Sequence, residues 1–421
     1  MLVFKFGGAS VKDAEAVRNI PQILDKYKNQ DLVIVISAMG KTTNALEKVL
    51  GAYFHCTDDL ELKLREVEDY HLKIISELFP PEHIIYANVK GIFSRLQEKL
   101  DTEPSLSYNF EYDQIVCFGE ILSTTIVSAY LNFNKYPNTW LDIRKYLRTD
   151  ERFREAEVDF ELSEKQFTQR FKFKNEKIYI VQGFIGSSSN NLSTTLGREG
   201  SDYTAALVAY FLNAKGVIIW KDVPGVLNAD PKWFDNTVKL EKISYTDAIE
   251  LAFYGTSVIH PRTIQPLKKK GIPLRVKSFI HPGEDGTAIG NVKYKKLIPS
   301  FIFKMDQVLL NISPRDLSFI TEENLGKIFS CLAKYGLKIN LIQNTAVSFR
   351  ICVNNDHTRI PPVVKELEPD FQIRFDEGLE LITIRYYDQE TVDRVMINKK
   401  MLLEQHSENT IQMVVKDLGD E

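Results

Sequence analysis

Short blocks in which nearly every position is apolar alternate, over the first 295 or so residues, with longer stretches in which apolar side chains recur every three or four positions. The blocks Leu2–Phe6, Leu32–Ser37, Ile178–Gln182, Gly216–Trp220 and Pro273–Lys277 predict strands buried on both faces, the pattern of a parallel sheet. Ser201–Leu212 predicts a helix whose apolar face is Ala205, Ala206, Val208, Ala209 and Leu212. Leu60–Leu78 predicts a longer helix inserted before the next site-bearing segment, through Leu60, Leu64, Val67, Ile74 and Leu78. Pro21 lies inside the first helical pattern and is expected to kink or end it, because proline has no N–H to give. The alternation predicts a layered α/β sandwich.

The period changes near residue 296. Gly286 and Gly290 precede a basic stretch (Lys293, Lys295, Lys296) and Pro299, which places a domain boundary between residues 1–296 and 297–421. Beyond it, Val308–Ile312, Lys338–Ile342, Val347–Val353 and Phe371–Phe375 predict strands, with helices at Glu322–Tyr335 and Pro362–Leu367. That β-α-β-β-α-β order is a ferredoxin-like unit. An abbreviated second copy is expected from Leu381–Tyr386, a short helix from Glu390, Met401–Glu404 and Thr410–Val415.

Composition adds exclusions. The 421 residues are 44% hydrophobic and 26% charged with a net charge of −4, so no broad nucleic-acid surface is expected. Lys5 interrupts the N-terminal apolar run, against a secretory signal, and no apolar run approaches the roughly 20 residues of a membrane helix. Cys56, Cys117, Cys331 and Cys352 are scattered without a CxxC pair, and the seven histidines show no ligand spacing. Reduced thiols, no zinc and a cytoplasmic location are the expectation.

The chemistry concentrates at the strand ends. In LVFKFGGASVKDAEAV a strand runs into Gly7 and Gly8, with Lys5 two residues upstream and a helix behind. Glycines admit close approach of a ligand, and helix N–H groups with a lysine suit phosphate. The motif is neither GxxxxGK[ST] nor GxGxxG, and a tight turn with an incidental lysine reads the same residues. The segment from Gly183 to Val208 combines Gly183, Gly186, Gly197 and Gly200 with Arg198, a residue fitted to hold a carboxylate. Ser201 or Asp202 could cap the helix that follows. Ser37, Thr42, Thr43 and Asn44 follow another buried strand, at the edge where open α/β sheets bind ligands. Glu120 could accept an ammonium or simply favour a helix start. Asp222 sits in a rigid Pro-Gly loop that runs to Asp230 and could face a ribose or phosphate-bound metal.

In this order, KFGGAS (Lys5–Ser10), VISAMGKTTN (Val35–Asn44), FGE (Phe118–Glu120), TLGREGSDYTAA (Thr195–Ala206), DVPGV (Asp222–Val226) and VIHP (Val258–Pro261) resemble the monofunctional aspartate kinases of the amino-acid kinase family. The resemblance implies a three-layer α/β/α catalytic domain followed by two ACT regulatory units. It implies phosphorylation of the side-chain carboxylate of L-aspartate by ATP with Mg2+, giving 4-phospho-L-aspartate, the first step toward lysine, threonine and methionine. Carried over, Lys5, Gly7 and Gly8 hold the transferring phosphoryl group, and Ser37 lies beside them. Thr43, Glu120 and Arg198 grip aspartate, with Glu120 on its ammonium and Arg198 on its α-carboxylate, while Phe184 walls the pocket. Ser201 and Asp202 position substrate and lysine, and Asp222 with its loop faces the nucleotide. A carboxylate nucleophile is already ionised at neutral pH, so no general base is needed and no histidine sits in the set.

The chain departs from the resemblance at named positions. Lys221 stands where Thr or Ser is common, Leu227 where Tyr is, Lys232 where Arg is, and Ser257 where many members have a nucleotide-site lysine. Lys221 is expected to replace the missing charge on the nucleotide phosphates. In the regulatory half, Asn340 replaces the acid of lysine-inhibited members, and Thr345 and Ser348 complete the candidate effector turn. An amide pairs with an ammonium less strongly than a carboxylate, so weak lysine inhibition or another effector is expected. A homodimer or larger homo-oligomer through the ACT units is also implied. The alternatives are another acceptor within the family, or a sensor that keeps the fold without catalysis.

Overall fold

The computed structural model describes the whole chain except residues 175, 235, 256–258, 295–296, 317 and 420–421. In the N-terminal part the elements are β1 (Leu2–Phe6), α1 (Ala14–Asp25), β2 (Leu32–Ile36), α2 (Thr42–Phe54), α3 (Leu60–Leu78), α4 (Ile85–Leu100), α5 (Tyr108–Val116), α6 (Phe118–Phe133) and β3 (Thr139–Leu141). They continue through α7 (Phe160–Arg170), β4 (Ile178–Gln182), the hairpin β5 (Ile185–Ser187) and β6 (Ser193–Thr195), α8 (Gly200–Phe211) and β7 (Val217–Lys221). β8 (Lys242–Ser244), α9 (Tyr245–Tyr254), α10 (Pro261–Lys270), β9 (Leu274–Ser278) and β10 (Thr287–Gly290) complete this part.

Eight strands form one sheet in the order β3-β4-β2-β1-β7-β9-β10-β8. It is parallel except where β10 runs against β9. Phe4 and Phe6 point to one face, where Trp220 of the neighbouring strand stacks on Phe6 at 6.2 Å and Tyr27, just after α1, meets Phe4 edge-on at 4.8 Å. Lys5, on the opposite face, meets Asp202 of α8. Helices therefore cover both faces, which makes three layers. The helix α1 runs through Pro21 instead of ending there. A proline in an α-helix forfeits a single backbone bond, and the buried face of Val17, Ile20, Ile23 and Leu24 outweighs that loss. The segment Tyr108–Phe133 is long and apolar enough to cross a membrane by length and composition, which the sequence reading did not register, and 78% of its most apolar window is buried inside the protein.

The second part is a six-stranded antiparallel sheet, β12-β13-β11-β14-β16-β15. It contains β11 (Ser300–Pro314), α11 (Glu322–Lys334), β12 (Ile339–Asn344), β13 (Phe349–Asn354), α12 (Ile360–Leu367), β14 (Phe371–Arg385), α13 (Gln389–Val395), β15 (Lys399–His406) and β16 (Thr410–Asp417). Both 15-residue strands serve two halves. Residues 307–314 of β11 pair with 371–379 of β14, while Ser300–Lys304 pair with Leu381–Arg385. The second unit is therefore not abbreviated in its strands: its fourth strand is Ser300–Lys304, from before the first unit.

Two compact units result, Met1–Val226, Lys239–Ile249 and Ser257–Lys293 against Leu227–Val238, Glu250–Thr256 and Tyr294–Glu421. A single cut after residue 296 thus assigns two inner segments differently. The first of them is held by apolar contact: Ala229 and Phe234 join the cluster of Phe301, Ile382, Ile384 and Met413. Cys117, Cys331 and Cys352 are buried free thiols, and Cys56 is exposed.

Candidate active site

The site is built at the ends of β1, β2, β4 and β7. Beyond β1, the turn Gly8–Val11 meets the loop after β2: Ser37 N donates to Phe6 O at 3.1 Å and Gly40 N to Gly8 O at 3.0 Å. A Cβ on Gly8 would lie 2.7 Å from Gly40 O, and one on Gly7 3.3 Å from Lys5 Nζ. Gly8 lets two backbones meet, and Gly7 leaves room for the lysine head to fold back over its own strand end.

That head lies 2.6 Å from Asp202 Oδ1, and Lys221 Nζ lies 3.4 Å from Asp202 Oδ2. Asp202 has no exposed surface. Burial alone would push its carboxyl up, but Lys5 and Lys221 together hold it below the usual carboxylate range. Neither Ser201 nor Asp202 caps α8. The cap position is Glu199, in the left-handed region at φ 55°, with no side-chain cap bond. Both expected caps lie within the first turn, where Asp202 is taken by the lysines and Ser201 packs against Gly183, whose added Cβ would fall 2.5 Å from Ser201 Cβ.

Glu120, in the first turn of α6, is fully buried. Its Oε1 accepts from Ala38 N at 3.2 Å, and Oε2 has no hydrogen-bond partner among the described residues. Burial raises its pKa to about 8, against weaker opposition from backbone N–H groups and Lys5. An orphaned carboxyl oxygen of this kind is what an incoming ammonium would satisfy.

A cavity of about 960 Å³ opens in the same unit, with Thr43, Phe184 and Arg198 in its lining. Phe184 sits at φ 70°, held by its N–H on Thr204 Oγ1 at 2.9 Å and its carbonyl on Leu196 N at 2.9 Å. Arg152, Arg154 and Arg262 add to Arg198 against Glu155 and Glu157, so the lining is net positive and suits a dianionic ligand. Lys5, Asp202 and Glu120 are outside this lining, joined to it by shared loops.

Asp113, Arg154 and Arg262 escaped the sequence reading. Asp113, buried with its pKa raised to about 6 by that burial, accepts from Thr195 N at 2.8 Å, Thr195 Oγ1 at 2.7 Å and Arg154 N at 3.0 Å. It ties α5 to the glycine-rich loop and to the Arg154 turn, itself at φ 74°. Arg154 lies 4.4 Å over the ring of Tyr112, and Arg262 4.8 Å over Tyr203. The sequence offered only an acid seven residues before Glu120, with Glu111 and Gln114 close by to make it read as an ordinary helix acid.

Of the nucleotide candidates, Lys221 joins Asp202 and Asp222 is exposed beside it. Leu227 and Lys232 cluster with the second unit, and Ser257 lies outside the described residues. Asn340 is consumed locally: its Nδ2 donates to Gln307 Oε1 and Asn354 Oδ1 at 2.8 Å each, and its Oδ1 accepts from Lys304 Nζ at 2.8 Å. Thr345 and Ser348 bond to each other within their turn, Oγ1 to Oγ at 2.8 Å.

The model of the amino acid kinase family matches residues 1–278. The chain is 31% identical over 399 residues to the lysine-sensitive aspartokinase 3 of Escherichia coli (strain K12), across 91% of this chain and 86% of that one. Crystal structures of E. coli aspartokinase III superpose on 99% of this chain and 96% of theirs. The complex with lysine and aspartate (T-state) gives a TM-score of 0.84 at 27% identity, and the complex with aspartate and ADP (R-state) 0.81 at 26%.

Proposed function

The chain belongs to the amino acid kinase family, and on that premise we infer that it is an aspartate kinase, transferring the γ-phosphoryl group of ATP to the side-chain carboxylate of L-aspartate. The observation that carries this reading is the buried Lys5–Asp202 pair, in the same unit as a net-positive cavity lined by Thr43, Phe184 and Arg198. Arg198 is assigned the α-carboxylate and Glu120 the ammonium, which leaves the side-chain carboxylate free to attack. That group is ionised at neutral pH, so catalysis reduces to alignment and charge stabilisation. Lys5 and the N–H groups at Gly7 and Gly8 are assigned the phosphoryl oxygens, with Asp202 fixing the lysine head and Ser37 and Ser201 walling the turn.

Among the described residues no three His, Cys, Asp or Glu side chains cluster as a metal site, and Asp202 is already held by two ammoniums. Magnesium is therefore assigned to the nucleotide, as Mg-ATP, where it neutralises phosphate charge. Asp222 and its loop are assigned to the nucleotide. The C-terminal ACT pair is assigned to an amino-acid effector and to self-association, and the enzyme to the cytoplasm at the entry to lysine, threonine and methionine synthesis.

The test is acyl-phosphate formation from Mg-ATP, trapped with hydroxylamine, with L-aspartate, L-glutamate, N-acetylglutamate or no acceptor. Signal with aspartate alone is expected. Silence from folded, ATP-binding protein with every acceptor would transfer the weight to a sensor role.

A further inference from the structure

One buried carboxylate braces two loops that each carry an arginine. Asp113 of α5 accepts from Thr195 N at 2.8 Å, from Thr195 Oγ1 at 2.7 Å and from Arg154 N at 3.0 Å. Thr195 lies three residues before Arg198. The same two loops meet again where Ala156 N donates to Thr195 O at 2.9 Å, and at Gly197, where an added Cβ would lie 3.1 Å from Arg154 O. The backbones that carry Arg154 and Arg198 are therefore packed together, and both side chains line the cavity of about 960 Å³.

Arg154 is held there at a conformational cost. Its φ of 74° lies in the left-handed region, which a long side chain seldom adopts. Asp113 fixes its N–H, and its guanidinium rests 4.4 Å over the Tyr112 ring. Other charges of the lining are already spent. Arg152 pairs with Glu157 at 2.6 Å and with Asp150 at 3.3 Å, and Arg262 Nη1 donates to Leu196 O at 2.9 Å. Among the described residues neither Arg154 nor Arg198 forms an ion pair, and Glu155 is the acid left to face them in the lining. Two guanidiniums so placed call for an anion from outside. A carboxylate can serve both, because its two oxygens accept more bonds than a single arginine fork supplies.

We propose that Arg154 is a further substrate-binding residue, which joins Arg198 in a two-guanidinium clamp on the α-carboxylate of aspartate. Lys5 and the phosphoryl corner lie outside this lining, so the clamp meets the end of the substrate that does not react. It holds ground state and transition state alike, and so acts on KM and on the choice of acceptor more than on kcat.

This deepens the kinase reading and rests on it, and equilibrium binding keeps the two apart. Arg154→Gly removes the guanidinium, keeps the N–H on Asp113 and suits the backbone angle. Arg154→Lys keeps the charge without the fork. L-Aspartate is titrated by calorimetry into wild type and both variants, and its α-amide, which retains the reacting carboxylate, is measured by displacement of aspartate. In Arg154→Gly a loss of aspartate affinity of roughly tenfold or more is expected, with kcat within about threefold of wild type. The α-amide should bind equally to both proteins, so the preference for aspartate over the amide falls by the same factor, and Arg154→Lys should lie between. Unchanged aspartate affinity in Arg154→Gly overturns the proposal. An equal loss for aspartate and amide also overturns it, because Arg154 would then only shape the loop. Wild type that binds aspartate without phosphorylating it refutes the kinase reading and leaves the clamp to be judged by the same preference. Wild type that does not bind aspartate overturns both.

Discussion

At the scale of single residues, Glu120 makes the sharpest claim. With its pKa raised to about 8 by burial, most of it is protonated in the free enzyme at pH 7. An ammonium ligand binds the ionised form, so aspartate binding must drive the proton off. KM for aspartate should fall roughly eightfold from pH 6.5 to 7.5 and level off above pH 8, as follows from one group titrating near 8. Steady-state kinetics across that range check it, and a flat profile in wild type rules out Glu120 as the ammonium partner. Stability runs the other way. A carboxyl whose folded pKa lies above its unfolded one contributes stability fully below the unfolded value near 4.5, and loses it as pH rises through 8. Glu120→Gln should therefore weaken aspartate binding, remove its pH dependence and raise Tm most at pH 8.5. That Lys5, Gly7, Gly8 and Asp202 gather at one corner, with Arg198 in the cavity lining, follows residue types and spacings that the sequence displays. Asp113, Arg154 and Arg262 were not, because a buried acid that organises two loops looks like any helix acid until the loops are folded.

At the scale of elements, the short apolar runs mapped onto β1, β2, β4, β7 and β9 within a residue, because a strand covered on both faces is apolar at nearly every position, with exceptions such as Lys5 in β1 and Arg275 in β9. No strand was expected at Ser300–Lys304, since its partner Leu381–Arg385 lies some eighty residues away and no local period encodes that pairing. The structure makes Phe301 a core residue of the second ACT-like half, 5% exposed, 5.1 Å from the Phe234 ring and 5.0 Å from the Arg394 guanidinium. Phe301→Ala should cost about 3–5 kcal/mol locally. Hydrogen exchange should accelerate in β16 and leave β12 and β13 nearly unchanged, whereas uniform acceleration would mean that the two halves do not behave as separate units. The same region bears on regulation. Asn340 spends its whole amide on Gln307, Asn354 and Lys304, and the Lys304 ammonium stands where a cationic effector would be repelled. Activity titrated with L-lysine should show half-inhibition above roughly 1 mM, an affinity weaker than about −4 kcal/mol. Inhibition at micromolar lysine would place the effector site away from Asn340.

At the scale of the molecule, the large sheet gathers the chemistry of the candidate site at the ends of adjacent strands, while the antiparallel sheet ends in β12 and β15, each paired on one side only among the described residues. An open edge is a liability unless something covers it. β12 carries Ile342, 38% exposed, and beside its hairpin stand Val347 at 49% and Phe319 at 71%. The last two are neighbours in space, because Ile320 N donates to Ala346 O at 2.9 Å. Apolar side chains of this size beside an open strand edge fit a second copy of the chain better than water. The expected outcome is a dimer at micromolar concentration, with twice the 48.4 kDa chain mass in light scattering. Ile342→Glu combined with Val347→Lys should shift it to monomer while the far-ultraviolet dichroism stays unchanged, since both side chains are exposed and neither belongs to the buried clusters. Catalysis needs residues of one chain only in the assignment above, so the monomer should retain aspartate turnover and lose only its response to amino-acid effectors. A wild-type monomer, or a double variant that stays dimeric, would move self-association to another surface and leave β12 without an explanation for its exposed side chains.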